Sequence, residues 1–329
     1  MRFRPFAWCV LGINLLVILW GALVRASGSG AGCGRHWPLC NGQVLPARPA
    51  TATLVEYAHR ATSGIALLLV ALLVAWSRRE FAKGHAARRA AAWSLGFVVV
   101  EALIGAGLVL LSLVGANSSL ARAGYLAAHL LNTFLLLGAL ALTALWAGTE
   151  PSPDHAELGR SRGLLAAGLT CLLLVGMSGA VTALGDTLFP SSSLAEGLRA
   201  DTSPTAHLLI RLRVLHPAFA LLTGLYLCVM VWAIGKQRHA AGETPWARAV
   251  IGLVVLQLGL GLTNLLLLAP TAMQLAHLLV ADLLWIATLV FGATALGVAP
   301  REGYMLPIMA SANAEVPSNV APSMRRWKS

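Results

Sequence analysis

Four histidines, His59, His129, His216 and His277, stand inside long apolar runs of this 329-residue chain. An ionisable side chain placed there is costly and marks function. One carboxylate, Glu56, precedes His59 by three residues, and one guanidinium, Arg213, precedes His216 by the same spacing. On a helix, i and i+3 share a face. Zinc asks for three or four ligands converging on one point, whereas these histidines come in matched pairs. Two imidazoles facing each other from neighbouring helices suit a haem clamped edge-on, one axial nitrogen on each side. The expected sites are therefore two, His59 with His129 and His216 with His277. The chain has no CxxCH, so the haem is expected to be non-covalent. Gly64 and Gly224 are expected to let the macrocycle approach the backbone.

The two sites differ beside their ligands. A cation near a haem is a natural propionate partner, the role expected of Arg213. A carboxylate there would repel propionates, and is better suited to proton transfer or to stabilising developing positive charge. Glu56 is thus the candidate catalytic residue, its structural alternative being a salt bridge to Arg60 or Arg25. The N-terminal pocket is expected to do chemistry and the C-terminal pocket to keep a permanent haem. Glu56–His59 also has the form of a di-iron ExxH pair, but those bundles use two such motifs and further carboxylates, and one is present here. The other histidines, His36, His85, His155, His207 and His239, fall in expected loops and read as solvated.

The elements that must carry these residues are membrane helices. Hydrophobic residues make up 57% of the chain and charged ones 11%, against about 25% charged in soluble domains. Runs of roughly 20 apolar residues span a bilayer as helices. Eight are read, at about 6–25, 56–77, 92–114, 124–147, 163–184, 209–234, 247–269 and 272–298. Unalternating runs of this length exclude a transmembrane barrel. The first run has the basic start and apolar core of a signal peptide, yet is long enough to span and is expected to remain as helix 1. The net charge of +11 is a topology signal rather than a nucleic-acid footprint. Sixteen of the 24 basic residues lie at the N-terminus, in the loops after helices 2, 4 and 6, and in the tail. Positive charge marks the cytoplasmic side, so both termini are expected inside a cell membrane, with the haem sites near its outer face.

The chain also reads as a repeat. "GALVRASG" (21–28) matches "GAVTALGD" (179–186), "VVEALIGAGLVLL" (99–111) matches "VVLQLGLGLTNLL" (254–266), and "HLLN" from His129 matches "HLLV" from His277. Four helices per copy return the chain to the same side, so the copies should be related by a pseudo-two-fold axis along the membrane normal. The fold expected is all-α and polytopic, eight transmembrane helices in two tandem four-helix bundles. Residues 1–147 would form the N-terminal four-helix half, 148–162 a cytoplasmic linker, 163–299 the C-terminal four-helix half, and 300–329 a disordered cytoplasmic tail. Glu101 and Asp282, also inside apolar runs, are read as bonded to neighbouring helices, or as an ion path if the chain is a transporter. Cys9, Cys171 and Cys228 read as small core hydrophobes. Cys33 and Cys40 flank "GRHWPL" in the first outer loop, on the oxidising side. A disulfide is favoured over a metal site, with His36 between them keeping the metal reading open.

Taken together, "GALVRASGSGAGCGRHWPLCNGQVLP", "EYAHR", "AHLLN", "LHP" and "QLAHLL" resemble the haem A synthase family, from residue 12 to about 295. The resemblance implies oxidation of a haem O methyl group to a formyl group, giving haem A for terminal oxidases. It implies that His59 and His129 hold the substrate haem, that His216 and His277 hold haem b, that Glu56 is the essential carboxylate, and that Cys33 and Cys40 form the first-loop disulfide. Some members carry a second cysteine pair between helices 5 and 6, where this chain reads "LFPSSSLAEGLRADTSPTAH" and has none. Expected partners are haem O, the bilayer, a haem O synthase and a membrane electron acceptor; a homo-oligomer is compatible, and nucleic acid is not expected. Two other classes stay open: a dihaem b-type cytochrome exchanging electrons with quinone, which should lack the Glu56/Arg213 asymmetry, and a haem-handling binding protein or transporter, which predicts no turnover.

Overall fold

The computed structural model of the chain describes residues 2–151, 159–237 and 244–300. In it α1 spans Phe3–Ala26, α2 Thr51–Glu80, α3 Ala86–Leu110, α4 Leu120–Trp146 and α5 Gly159–Leu188. After a loop bearing two short helices, α6 (Leu194–Thr202) and α7 (Leu208–Leu212), come α8 (Leu215–Gln237), α9 (Pro245–Leu266) and α10 (Thr271–Ala295). Among the described residues, eight helical spans are long and apolar enough to cross a membrane, the sixth comprising α7 and α8 together. Leucines such as Leu16, Leu68 and Leu222 are about two-thirds exposed, as side chains facing lipid rather than protein would be. The only strands among the described residues are Thr149–Pro151 and Val298–Pro300, which pair antiparallel. They bring the end of α4 beside the end of α10. The tail beyond residue 300 and the middle of the linker lie outside the described residues.

Local chemistry sets the boundaries. Ser119 and Thr244 accept hydrogen bonds from Arg122 N–H and Ala247 N–H at the starts of α4 and α9, and Pro245 opens the latter, as N-capping and the first-turn tolerance for proline dictate. Helices α3 and α9 stop short of the expected 114 and 269. Ser112 (φ 58) and Ala269 (φ 56) turn left-handed, and Leu113 N–H and Ala269 N–H bond back five residues to Leu108 and Asn264 carbonyls, a six-to-one closure that ends a helix. At the other end α5 begins inside the expected linker, because Arg160 and Arg162 extend the helix while their charged heads stay exposed.

The sixth span departs from an unbroken helix over 209–234. Between α7 and α8, Arg213 and Val214 form a turn. Pro217 is the cause: it has no N–H to give the carbonyl four residues back, that of Arg213, and its ring crowds that carbonyl. The break falls between Arg213 and His216, so the shared-face argument that paired them does not hold.

The two most buried spans are α4 and α10, with 50% and 61% of their central windows buried against 11–33% elsewhere. They pack on each other and on α1 and α5. Phe134 and Trp285 stack across the seam with centroids 5.4 Å apart, and Trp285 Nε1 donates to the Phe134 carbonyl. Gly138 makes the approach possible: a Cβ there would sit 2.7 Å from Leu289. These are the helices that carry His129 and His277.

The orientation expected from the basic residues gives a direct test. A reporter that works only in the cytoplasm, fused after Ser329, should be active; activity from a periplasm-only reporter at the same place would reverse the topology.

Candidate functional site

Each of the four histidines sits on a different helix, His59 on α2, His129 on α4, His216 on α8 and His277 on α10, and the structure gathers them in two pairs. His216 and His277 face each other with ring centroids 6.4 Å apart and planes at 84°. That separation leaves room for one metal atom between the ring edges, at about 2 Å per metal–nitrogen bond. His59 and His129 are carried on α2 and α4, which both pack on α1 and on α3. No group of three or more His, Cys, Asp or Glu is placed to hold a metal ion among the described residues.

What surrounds the rings tests whether a haem fits. Glycines on the adjoining helices face three of them: a Cβ on Gly21 would lie 2.8 Å from the His59 ring, one on Gly179 3.0 Å from His216, and one on Gly261 3.2 Å from His277. A side chain at Gly21 would have to displace the His59 ring, and one at Gly179 or Gly261 would press on the ring it faces. The buried Nδ1 atoms of His59 and His277 have no hydrogen-bond partner. Buried ring nitrogens are ordinarily satisfied, so these suit a ligand. His216 Nδ1 lies 3.0 Å from Ser178 Oγ, which leaves its other nitrogen for ligation. His129 Nδ1 lies 2.9 Å from Glu101 Oε1. No hydrogen bond to that nitrogen is aligned, so the contact is a close electrostatic one. Imidazoles in pairs, unpartnered nitrogens and glycine clearances are compatible with one bis-histidine haem that His59 and His129 would hold and a second that His216 and His277 would hold.

Beside the first pair, Glu56 is buried at 3% exposure. Its Oε2 accepts from Cys33 N–H at 2.7 Å and its Oε1 from Arg60. Arg60 also donates to the carbonyls of His36 and Leu39. Both termini of this network are in the loop closed by the Cys33–Cys40 disulfide. That loop presses on the start of α2 so closely that a Cβ on Gly32 would sit 2.6 Å from the backbone of Ala52 and Thr53. The carboxylate is therefore fixed between an amide and a guanidinium, one turn from His59. Its ion pair is with Arg60; Arg25 instead donates to Ala183 O, Thr187 Oγ1 and Gln274 Oε1, tying α1 to α5 and α10.

Other expected residues fall differently. Arg213 is paired with Asp186 at 3.1 Å and Asp201 at 2.7 Å, so a propionate would have to exchange for one of these carboxylates. Gly224 is a helix-packing position, its would-be Cβ 3.2 Å from Val254 on α9, while Gly64 borders open space. Glu101 is bonded to α4 as expected, accepting from Asn132 and Thr133. Asp282 is fully buried with neither oxygen hydrogen-bonded. The glycines facing the rings escaped the sequence reading, although Gly21 and Gly179 open the two matched repeat stretches.

The family model described as Cytochrome oxidase assembly protein matches residues 4–289. Protoheme IX farnesyltransferase of Thermus thermophilus is 46% identical over 295 residues, which is 90% of this chain and 48% of that protein. Heme A synthase of Shouchella clausii is 44% identical over 99 residues, 30% of this chain and 33% of that protein. Heme A synthase of Bacillus mycoides is 41% identical over 109 residues, 33% and 35% of the respective chains. The chain spans about half the length of the Thermus relative.

Proposed function

The chain belongs to the haem A synthase family, whose model is described as Cytochrome oxidase assembly protein, and from that membership we propose that it oxidises a porphyrin methyl group of haem O to the formyl group of haem A for terminal oxidase biogenesis. The observation that carries the reading is the buried Glu56, anchored by Cys33 N–H and Arg60 one turn from His59. In this reading His59 and His129 position the substrate haem. Glu56 stands at the rim, where its charge favours the departure of a methyl proton or stabilises an electron-poor carbon. The disulfide loop keeps it there and keeps water away. His216 and His277 hold haem b, which supplies one-electron transfer when bound. Arg213, once freed from a carboxylate, would receive a propionate.

Farnesyl transfer is the second reading, because a Thermus relative carries that name. The same similarity supports the proposal that a farnesyl-transferring haem O synthase is the partner that provides the substrate. Pigment extraction separates the possibilities. Membranes supplied with haem O should yield haem A only when this chain is present. Haem O returned unchanged beside a b-type spectrum would make the chain an electron-transfer cytochrome, and haem O formed from protohaem and farnesyl diphosphate would make it the transferase.

A further inference from the structure

The two pockets differ in what stands behind their ligands, and the difference is one of charge. In the N-terminal pocket Glu101 of α3 places Oε1 2.9 Å from His129 Nδ1. That carboxylate is itself pinned on both oxygens: Asn132 Nδ2 donates to one and Thr133 Oγ1 to the other. Asn132 is held in turn, donating also to the Phe97 carbonyl at 2.9 Å. In the C-terminal pocket the neighbours are neutral. Gln257 of α9 lies 3.1 Å from His277 Nε2, and the Ser178 hydroxyl lies 3.0 Å from His216 Nδ1. Across the first pocket from His129, no carboxylate stands within ion-pair distance of the His59 ring among the described residues, and that ring's edge rests on Gly21. Of the four rings, His129 alone has a carboxylate at a ring nitrogen among the described residues.

A carboxylate this close behind a ligating imidazole, even through an electrostatic contact, favours the proton on the rear nitrogen and makes the front nitrogen a stronger donor. The effect is larger in a low-dielectric interior than in water, and the Glu101 side chain is 17% exposed. A ligand with no carboxylate behind it, opposite a strengthened donor, is the one that yields first. We propose that Glu101 is a positioning residue that makes His129 the anchoring ligand of the N-terminal pocket and leaves His59 the exchangeable one. This rests on the assignment of His59 and His129 to one haem. It gives the substrate site a face that can open, and gives the other site none.

The test uses the full chain in detergent with ferric protohaem as the probe, titrated while the C-terminal pocket is filled. His129→Ala should weaken binding at the N-terminal pocket more than His59→Ala does. Glu101→Gln should weaken it about 10–100-fold, the usual cost of losing a partner behind a ligand. In the His59→Ala background, resonance Raman of the reduced protein should show the iron–histidine stretch of His129 shifting down when Glu101→Gln is added, a change that a purely structural role would not produce. Equal losses from the two histidine variants, a larger loss from His59→Ala, or an unmoved stretch would overturn the proposal. Unaltered binding in both histidine variants would instead overturn the ligand assignment. Should Glu101→Gln fail to fold, the comparison of the two histidine variants still decides it.

Discussion

Glu56→Gln should fold, insert and keep its b-type haem, while haem A formation falls about 10²–10⁴-fold, the span associated with a positioned acid or base. The geometry makes this variant informative. Glu56 lies one turn before His59, about 4.5 Å of axial rise, with Cys33 N–H and Arg60 as its donors. Glutamine keeps an acceptor for the Cys33 amide at nearly the same size. Arg60 keeps its bonds to the His36 and Leu39 carbonyls, so the loop stays attached to α2. What disappears is the negative charge, in a site where charge is felt more strongly than in water. Extracted pigment should then contain haem b with haem O and partly oxidised haem, and little haem A. Full haem A yield would reduce Glu56 to the ion-pair partner of Arg60, and loss of all haem would make it a structural tie between loop and helix.

The second large effect separates the pockets. His216→Ala and His277→Ala should each abolish the resident b-type spectrum while the N-terminal pocket still takes up added porphyrin. The rings face each other at 6.4 Å, so removing either would leave one ligand where two would hold the iron. If His59→Ala and His129→Ala remove the resident spectrum instead, the roles of the halves are exchanged. Difference spectra of purified protein, reduced against oxidised, read the outcome.

Much of this was legible in the residues. Helices announce themselves by runs of apolar residues, and all eight spans are where those runs lie. Costly groups inside the runs pointed to His59, His129, His216 and His277, and the pairing of Cys33 with Cys40 followed from their place in a short loop. The failures have physical causes. A helix-facing argument from i, i+3 spacing assumes an unbroken helix, and Pro217 breaks the one that would have joined Arg213 to His216. Carboxylate partners on other elements are invisible to i, i+3 spacing, so the spacing around Arg213 did not reveal Asp186 at the end of α5 or Asp201 on α6. Gly224 looked like room for a macrocycle and proved to be room for α9, because a glycine in a membrane helix does not say which neighbour it admits.

The seam between α4 and α10 bears on how such a protein could be divided. A chain with matched stretches in its first and last four spans can be pictured as two interchangeable modules, each complete in itself. Here the first four spans and the last four each present their most enclosed helix to the other, and Phe134, Gly138, Trp285 and Leu289 interlock across the join. A fragment ending in the linker would turn the buried flank of α4 toward lipid, with Gly138 and the Phe134 carbonyl left without the indole they were shaped around. The two parts are therefore not modular at this seam: circular permutation or splitting can cut the loops, but α4 and α10 have to meet in the same bilayer before their facing flanks are buried.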